Sequence, residues 1–208
     1  MLSLTGFIGT IETDASVTLS QGLSMNRAVR TVGLCALLPL LLAHCADDPI
    51  AYSEVISLKL SGIKDGDAKN GVTTEEKNVN TESGNPYGAF LTSAEGALDG
   101  AEPGRVELSS ALVGLHADSK GVAQLDQVFS RVELFISSST ATYPLGDATS
   151  LSASTAAFVL SEDVDWEALQ PTLVQGDFKV GVRVDVISDV EDNWDAKLFL
   201  DLNFSAYE

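Results

Sequence analysis

Between Phe178 and Phe204 the chain alternates apolar and polar residues twice over. Phe178, Val180, Val182, Val184 and Val186 are interleaved with Lys179, Gly181, Arg183 and Asp185. Trp194, Ala196, Leu198, Leu200, Leu202 and Phe204 repeat the pattern against Asp195, Lys197, Asp201 and Asn203. A period of two puts one face of a strand in a core and the other in water. Sheets with one wet face are antiparallel, because parallel sheets are covered on both sides. The two runs, with an acidic turn between them, predict a β-hairpin. A hairpin is not stable alone, so a second apolar layer is required.

The rest of the chain can supply that layer. Ile56, Leu58 and Leu60 predict a first strand, and Val106, Leu108 and Leu112 a second. Val132, Leu134 and Ile136, then Ala156, Phe158 and Leu160, predict two more. Residues 65–85 are rich in turn formers and charge and read as a long loop, with at most a short strand near Asn78–Thr81. Tyr87, Phe90, Leu91, Ala94 and Leu98 sit at helical spacing behind Pro86, with Gly100 as a stop. Residues 162–174 read as a second short helix, with Asp163, Asp165 and Glu167 offsetting its positive end. The predicted fold is all-β, an antiparallel two-sheet β-sandwich with one or two short helices. Over residues 54–207 it resembles an immunoglobulin-like sandwich of the kind many bacterial surface lipoproteins carry. That resemblance implies architecture and no activity.

Ahead of this domain lies a segment of different character. Arg27 and Arg30 precede an apolar run, Val32–Leu42, which is too short for the roughly twenty residues that span a bilayer but suits an export signal. Met25 is the expected start, because residues 1–24 carry Glu12 and Asp14 and no Lys or Arg; they read as a non-native or disordered extension. Leu42-Ala43-His44-Cys45 resembles the lipobox of bacterial lipoproteins, although His44 departs from the small residue usual at that place. The resemblance implies a signal peptide over 25–45, acyl chains such as palmitate on Cys45, and a membrane anchor. Ala46 after the cysteine, in place of Asp, implies the outer membrane. Residues 46–53 read as a tether and 54–208 as one domain.

Charge narrows the partners. Glu12, Asp14, Arg27 and Arg30 cancel, so the chain beyond Cys45 keeps the full net charge of −18. Nucleic acid is excluded, since binding it needs Lys and Arg on phosphates. Adhesion to anionic lipid is disfavoured for the same reason. Cys35 lies in the apolar run, so no cysteine remains behind Cys45 and the domain must hold without disulfides.

Few residues point to chemistry. His116 is the one imidazole left once His44 departs with the signal, and it reads as a strand-end packing residue. No G-x-S-x-G or phosphate-cradling loop occurs. Asp65–Glu76 has the rough spacing of a calcium loop, but Lys69 and Asn70 stand where a ligand and the turn glycine belong. Asp189, Glu191, Asp192 and Asp195 form a second acidic knot and the candidate calcium site, with a solvated turn as the plainer reading. Phe135 and Phe199 break the alternation of their strands. Solvent-facing, they would form a partner-binding patch; otherwise the 86–100 helix or a long loop covers them. Trp166 and Trp194 are candidate sugar platforms or packing residues. The sequence therefore predicts a non-catalytic, lipid-anchored envelope protein with a structural or binding role toward an envelope protein or glycan, and no obligatory cofactor. A calcium-assisted carbohydrate- or ligand-binding module is the competing reading, and a hydrolase the third.

Overall fold

The computed structural model describes residues 50–64, 66–68, 70–188 and 193–208. The expectations for residues 1–24 and for the signal over 25–45 lie outside the described residues. In chain order the elements are β1 (Ile50–Lys59), β2 (Ile63–Lys64), β3 (Val72–Val79), α1 (Pro86–Ala97), β4 (Arg105–Leu115), β5 (Phe129–Ser137) and β6 (Thr142–Ala148). They continue with β7 (Thr155–Leu160), α2 (Trp166–Gln175), β8 (Phe178–Val186), β9 (Asp195–Ala196) and β10 (Leu198–Tyr207). The strand β1 opens inside the stretch read as tether.

Eight strands form one antiparallel sheet in the order β1-β10-β4-β7-β6-β5-β8-β3, while β2 and β9 pair separately. The sheet curls around a core that collects Ile56 and Leu58, Leu200 and Leu202, Val132 and Leu134, and Val180 and Val182. Strand β7 makes the turn from one half to the other. Its residues Thr155–Ala157 pair with β4, and Phe158–Leu160 pair with β6.

The predicted hairpin does not form. β8 lies between β3 and β5, whereas β10 lies between β1 and β4. Alternation fixes which face of a strand is buried but not its neighbour, and the long 187–197 connection lets the chain cross between the halves. The loop expected over 65–85 also contains a full strand. β3 escapes the pattern because it is an edge strand: only Val79 is buried, and Glu75 and Lys77 face the core side opposite Val182 and Val180. Inward charges on an edge strand discourage pairing with other chains.

A third departure lies in β4. The register slips between Asn203 and Phe204 of β10, leaving Ser109 as an extra residue. Such a bulge reverses the side-chain alternation beyond it. The core residues of β4 are therefore Val106, Leu108, Ala111 and Val113, and Leu112 falls on the other face.

The two helices form as their punctuation predicts. Asn85 caps α1 by accepting from the Tyr87 N–H, Pro86 follows it, and the Gly100 N–H closes on the Glu95 carbonyl. Asp165 caps α2 through the Ala168 N–H, and α2 ends at Gly176 with φ of 68°. A Cβ on Gly176 would also press on Thr81 and Leu91, so α2 stops where only glycine fits. Both helices sit at the end of the sheet marked by Val79, Ser137, Phe178, Arg105 and Tyr207, which register places together.

Tyr87 of α1 ties this end shut. Its ring is fully buried and edge-on to Phe178 at 5.0 Å and to Phe204 at 5.1 Å. Its hydroxyl donates to the Leu173 carbonyl of α2 at 2.7 Å. Gln170 of α2 then binds the free edge of β4, accepting from the Val106 N–H at 3.0 Å and donating to its carbonyl at 2.7 Å. Tyr87→Phe leaves the Leu173 carbonyl without this donor and is expected to cost about 1–2 kcal/mol. Tyr87→Ala also removes the ring and is expected to cost about 3–5 kcal/mol. Urea melts of the two variants check the difference.

Candidate functional site

The end of the sheet opposite the helices gathers the acidic segments. Ile63 and Lys64 pair with Ala196 and Asp195, and the Val186 N–H donates to the Gly71 carbonyl at 2.7 Å. Residues 63–64 thus run beside 195–196, and Gly71 beside Val186, although nothing in the sequence links them. Asp189, Glu191 and Asp192 lie outside the described residues. Asp195 is half-buried; its backbone bridges to Lys120, and its Oδ1 has no hydrogen-bond partner among the described residues. The Asp67 carboxylate is turned back on its own loop, accepting from the Lys64 N–H at 2.8 Å. Burial raises the carboxyl of Glu75, the charge of Asp67 raises it further, and a bond from Ser61 opposes both. Among the described residues no three His, Cys, Asp or Glu side chains converge as a metal site.

His116 stands at the same end. Its Nδ1 lies 3.2 Å from Asp118 Oδ2, which is itself 2.8 Å from Lys59 Nζ. The hydrogen bond and charge of Lys59, with a smaller contribution from His116, hold Asp118 below the usual carboxylate range. The Ser119 hydroxyl beside them donates to the Lys197 carbonyl and accepts from the Lys197 N–H. This group therefore works as an exposed ion-pair cluster with a serine engaged in backbone contacts.

The two phenylalanines share one device. Phe135 pairs across β5–β8 with Gly181, and Phe199 pairs across β10–β4 with Gly114. In both cases a Cβ on the glycine would collide with the phenylalanine ring. Each ring therefore lies flat on the bare backbone opposite, the arrangement in which an aromatic side chain shelters a strand glycine. Phe135 is only 6% exposed and Phe199 is half-buried. The cross-strand glycine gives each ring its room, Thr74, Pro144 and Arg183 border Phe135, and the two residues lie on different halves of the sheet. Trp194 is buried edge-on against Phe129 at 6.1 Å. Trp166 is half-buried at the start of α2, against the core.

A polar cleft that the sequence did not single out lies at the helical end. A volume of about 560 Å3 is bounded by Asn78 and Asn80, the Ser137–Thr140 turn, and Gln175, Asp177 and Lys179. Ser138 holds the turn through the Thr140 and Ala141 N–H groups, and Lys179 reaches Glu76 at 2.9 Å. Asn78, Ser139, Gln175 and Asp177 have no side-chain hydrogen bond among the described residues. This set offers amide and hydroxyl groups beside one free carboxylate, Asp177, all of which can bind a hydroxylated ligand. The run Ser137-Ser-Ser-Thr140 was the visible clue, but its partners lie on β3 and beyond α2.

Comparison with protein-family models, curated proteins and solved structures finds nothing that matches this chain.

The carboxyl of Glu75 is raised in the folded state, so its contribution to stability is present at low pH and lost as pH rises through the folded value. Glu75→Gln keeps an acceptor for Ser61 and is expected to raise the melting temperature slightly at pH 7. The gap should close as the pH falls below the ordinary carboxylate range, which melts across pH 3–7 would follow.

Proposed function

We propose that this chain is an exported lipoprotein, acylated at Cys45 and held at the outer membrane, whose β-domain has a non-catalytic structural or binding role. The observation that carries the reading is the sequence Leu42-Ala43-His44-Cys45, behind a basic and apolar run and ahead of the first strand. Two or more acyl chains hold a protein stably on a membrane where one does not. Among the described residues no helix is long and apolar enough to cross one. The strand β1 begins at Ile50, so the tether behind Cys45 reaches no more than about 18 Å. Ile50 pairs with Tyr207, at the helical end, so that end would sit nearest the anchor. In the finer reading of the fold, β1-β10-β4 and β6-β5-β8-β3 face each other as an immunoglobulin-like sandwich with β7 shared.

A ligand-binding module is the second reading, favoured by the polar cleft beside Asn78 and Gln175. Calcium would assist it only through the acidic end, remote from this cleft.

For the first reading, intact-mass analysis of the membrane fraction is expected to show acyl mass on Cys45, and Cys45→Ser to release the protein from that fraction. Full-length protein in the cytosol with a bare thiol would overturn it. For the second, a glycan array with and without chelator is expected to give binding that Asn78→Ala and Gln175→Ala abolish. An array without signal rejects that reading.

A further inference from the structure

The helices α1 and α2 leave a groove between them of about 470 Å3. Its apolar lining is Leu91, Pro103, Pro171 and Val174, and Glu95 and Glu102 stand at its rim. A second cleft of about 390 Å3 opens at the first residue of α2, walled by Leu108, Leu160 and Trp166 with Glu162 at its edge. Glu107 also borders it but already binds Arg105 at 3.0 Å. Thr81, Thr92 and Gln175 also line the first groove, so each of the two clefts along α2 sets an apolar wall beside a free carboxylate.

The charge around these clefts has one sign. Residues 80–104 carry Glu82, Glu95, Asp99 and Glu102, and residues 161–178 carry Glu162, Asp163, Asp165, Glu167 and Asp177; neither segment has a Lys or Arg. Of the bases that flank them in sequence, Arg105 and Lys179 are engaged, while Lys77 is exposed on the edge strand β3. Arg105 binds Glu107 and stacks on Tyr207 at 4.0 Å, and Lys179 binds Glu76 at 2.9 Å. With nine acids in the two segments and Lys77 as the one flanking base outside an ion pair among the described residues, the helical cap presents a net negative field, and such a field attracts cations and repels polyanions.

We propose that this cap is a docking face for a basic polypeptide. Lysine and arginine suit the two clefts because each has an apolar stem and a charged head. The stem lies on Leu91 and Val174, or on Trp166, and the head meets Glu95, Glu102 or Glu162. At Trp166 the cation also gains from the ring face. The proposal stands apart from acylation of Cys45, since the charge and the clefts belong to the folded domain.

The test uses the full chain carrying Trp194→Phe, which leaves Trp166 as the sole tryptophan, titrated with acetylated, amidated hexalysine at low salt. A saturable change in Trp166 emission is expected, and it should be lost near about 1 M salt. The triple variant Glu95→Gln, Glu102→Gln, Glu162→Gln should weaken binding about tenfold or more. Asp126→Asn, at the opposite end, should leave it unchanged. By calorimetry, Trp166→Leu should weaken it about two- to fivefold. Melting curves confirm that the variants fold. The proposal fails if hexalysine produces no saturable change, if the triple variant binds as tightly, or if Asp126→Asn weakens binding as much.

Discussion

The contact between the Tyr87 ring and both halves of the sheet is the constraint on which the rest depends. The strand order begins at β1 and ends at β3, and the sheet is not closed by pairing between them. Phe178 belongs to the half that ends in β3 and Phe204 to the half that ends in β1. A single ring edge-on to both holds the halves at a fixed separation, and such aromatic pairs contribute beyond the area they bury. Burial pushes the Tyr87 hydroxyl well above the ordinary phenol range. It therefore stays protonated and remains a donor to Leu173. α1 and α2 are thereby locked to the sheet and to each other, which fixes the clefts they border.

What the sequence revealed follows from what its patterns encode. Alternation marks burial of one face, so the strands rich in Val and Leu were legible, and Pro86, Gly100 and the acids ahead of Leu169 marked the helices. Partner choice was not legible, because β8 and β10 would show the same alternation whether paired or separated by four other strands. β3 was missed because an edge strand that shields itself with Glu75 and Lys77 removes the apolar signal that identifies strands. The misplacement of Leu112 has a single cause: one inserted residue, Ser109, inverts a period-two pattern. Alternation put Phe135 and Phe199 on the outer faces of their strands but could not identify what lies opposite them, because the glycines that receive their rings are distant in sequence.

The same limit explains why functional surfaces were only half visible. The acidic stretches around Asp67 and Asp195 were each visible in the sequence, yet only the β2–β9 pairing puts them at one end. The polar cleft draws Asn78 from β3, Ser139 from the β5–β6 turn and Gln175 from α2, which become neighbours through register alone. Composition reported a net charge of −18 without its distribution. The structure shows acids without bases along the two helical segments, whereas at the opposite end Lys59 pairs with Asp118, and Lys64 and Lys120 lie against Asp195, so charges of both signs meet there.

Placement of the helical cap relative to an anchor follows from two lengths. If Cys45 is acylated, the tether allows the cap about 18 Å of reach, whereas charges in physiological salt are screened over about 8 Å. Repulsion between the acidic cap and anionic headgroups would then push the domain outward and fade before the tether becomes taut. The cap would ride above the bilayer with its clefts open to a third molecule. A basic partner would be doubly favoured in that space, attracted by the lipid surface on one side and by Glu95, Glu102 and Glu162 on the other. The short tether would thus concentrate the partner where both negative surfaces act on it.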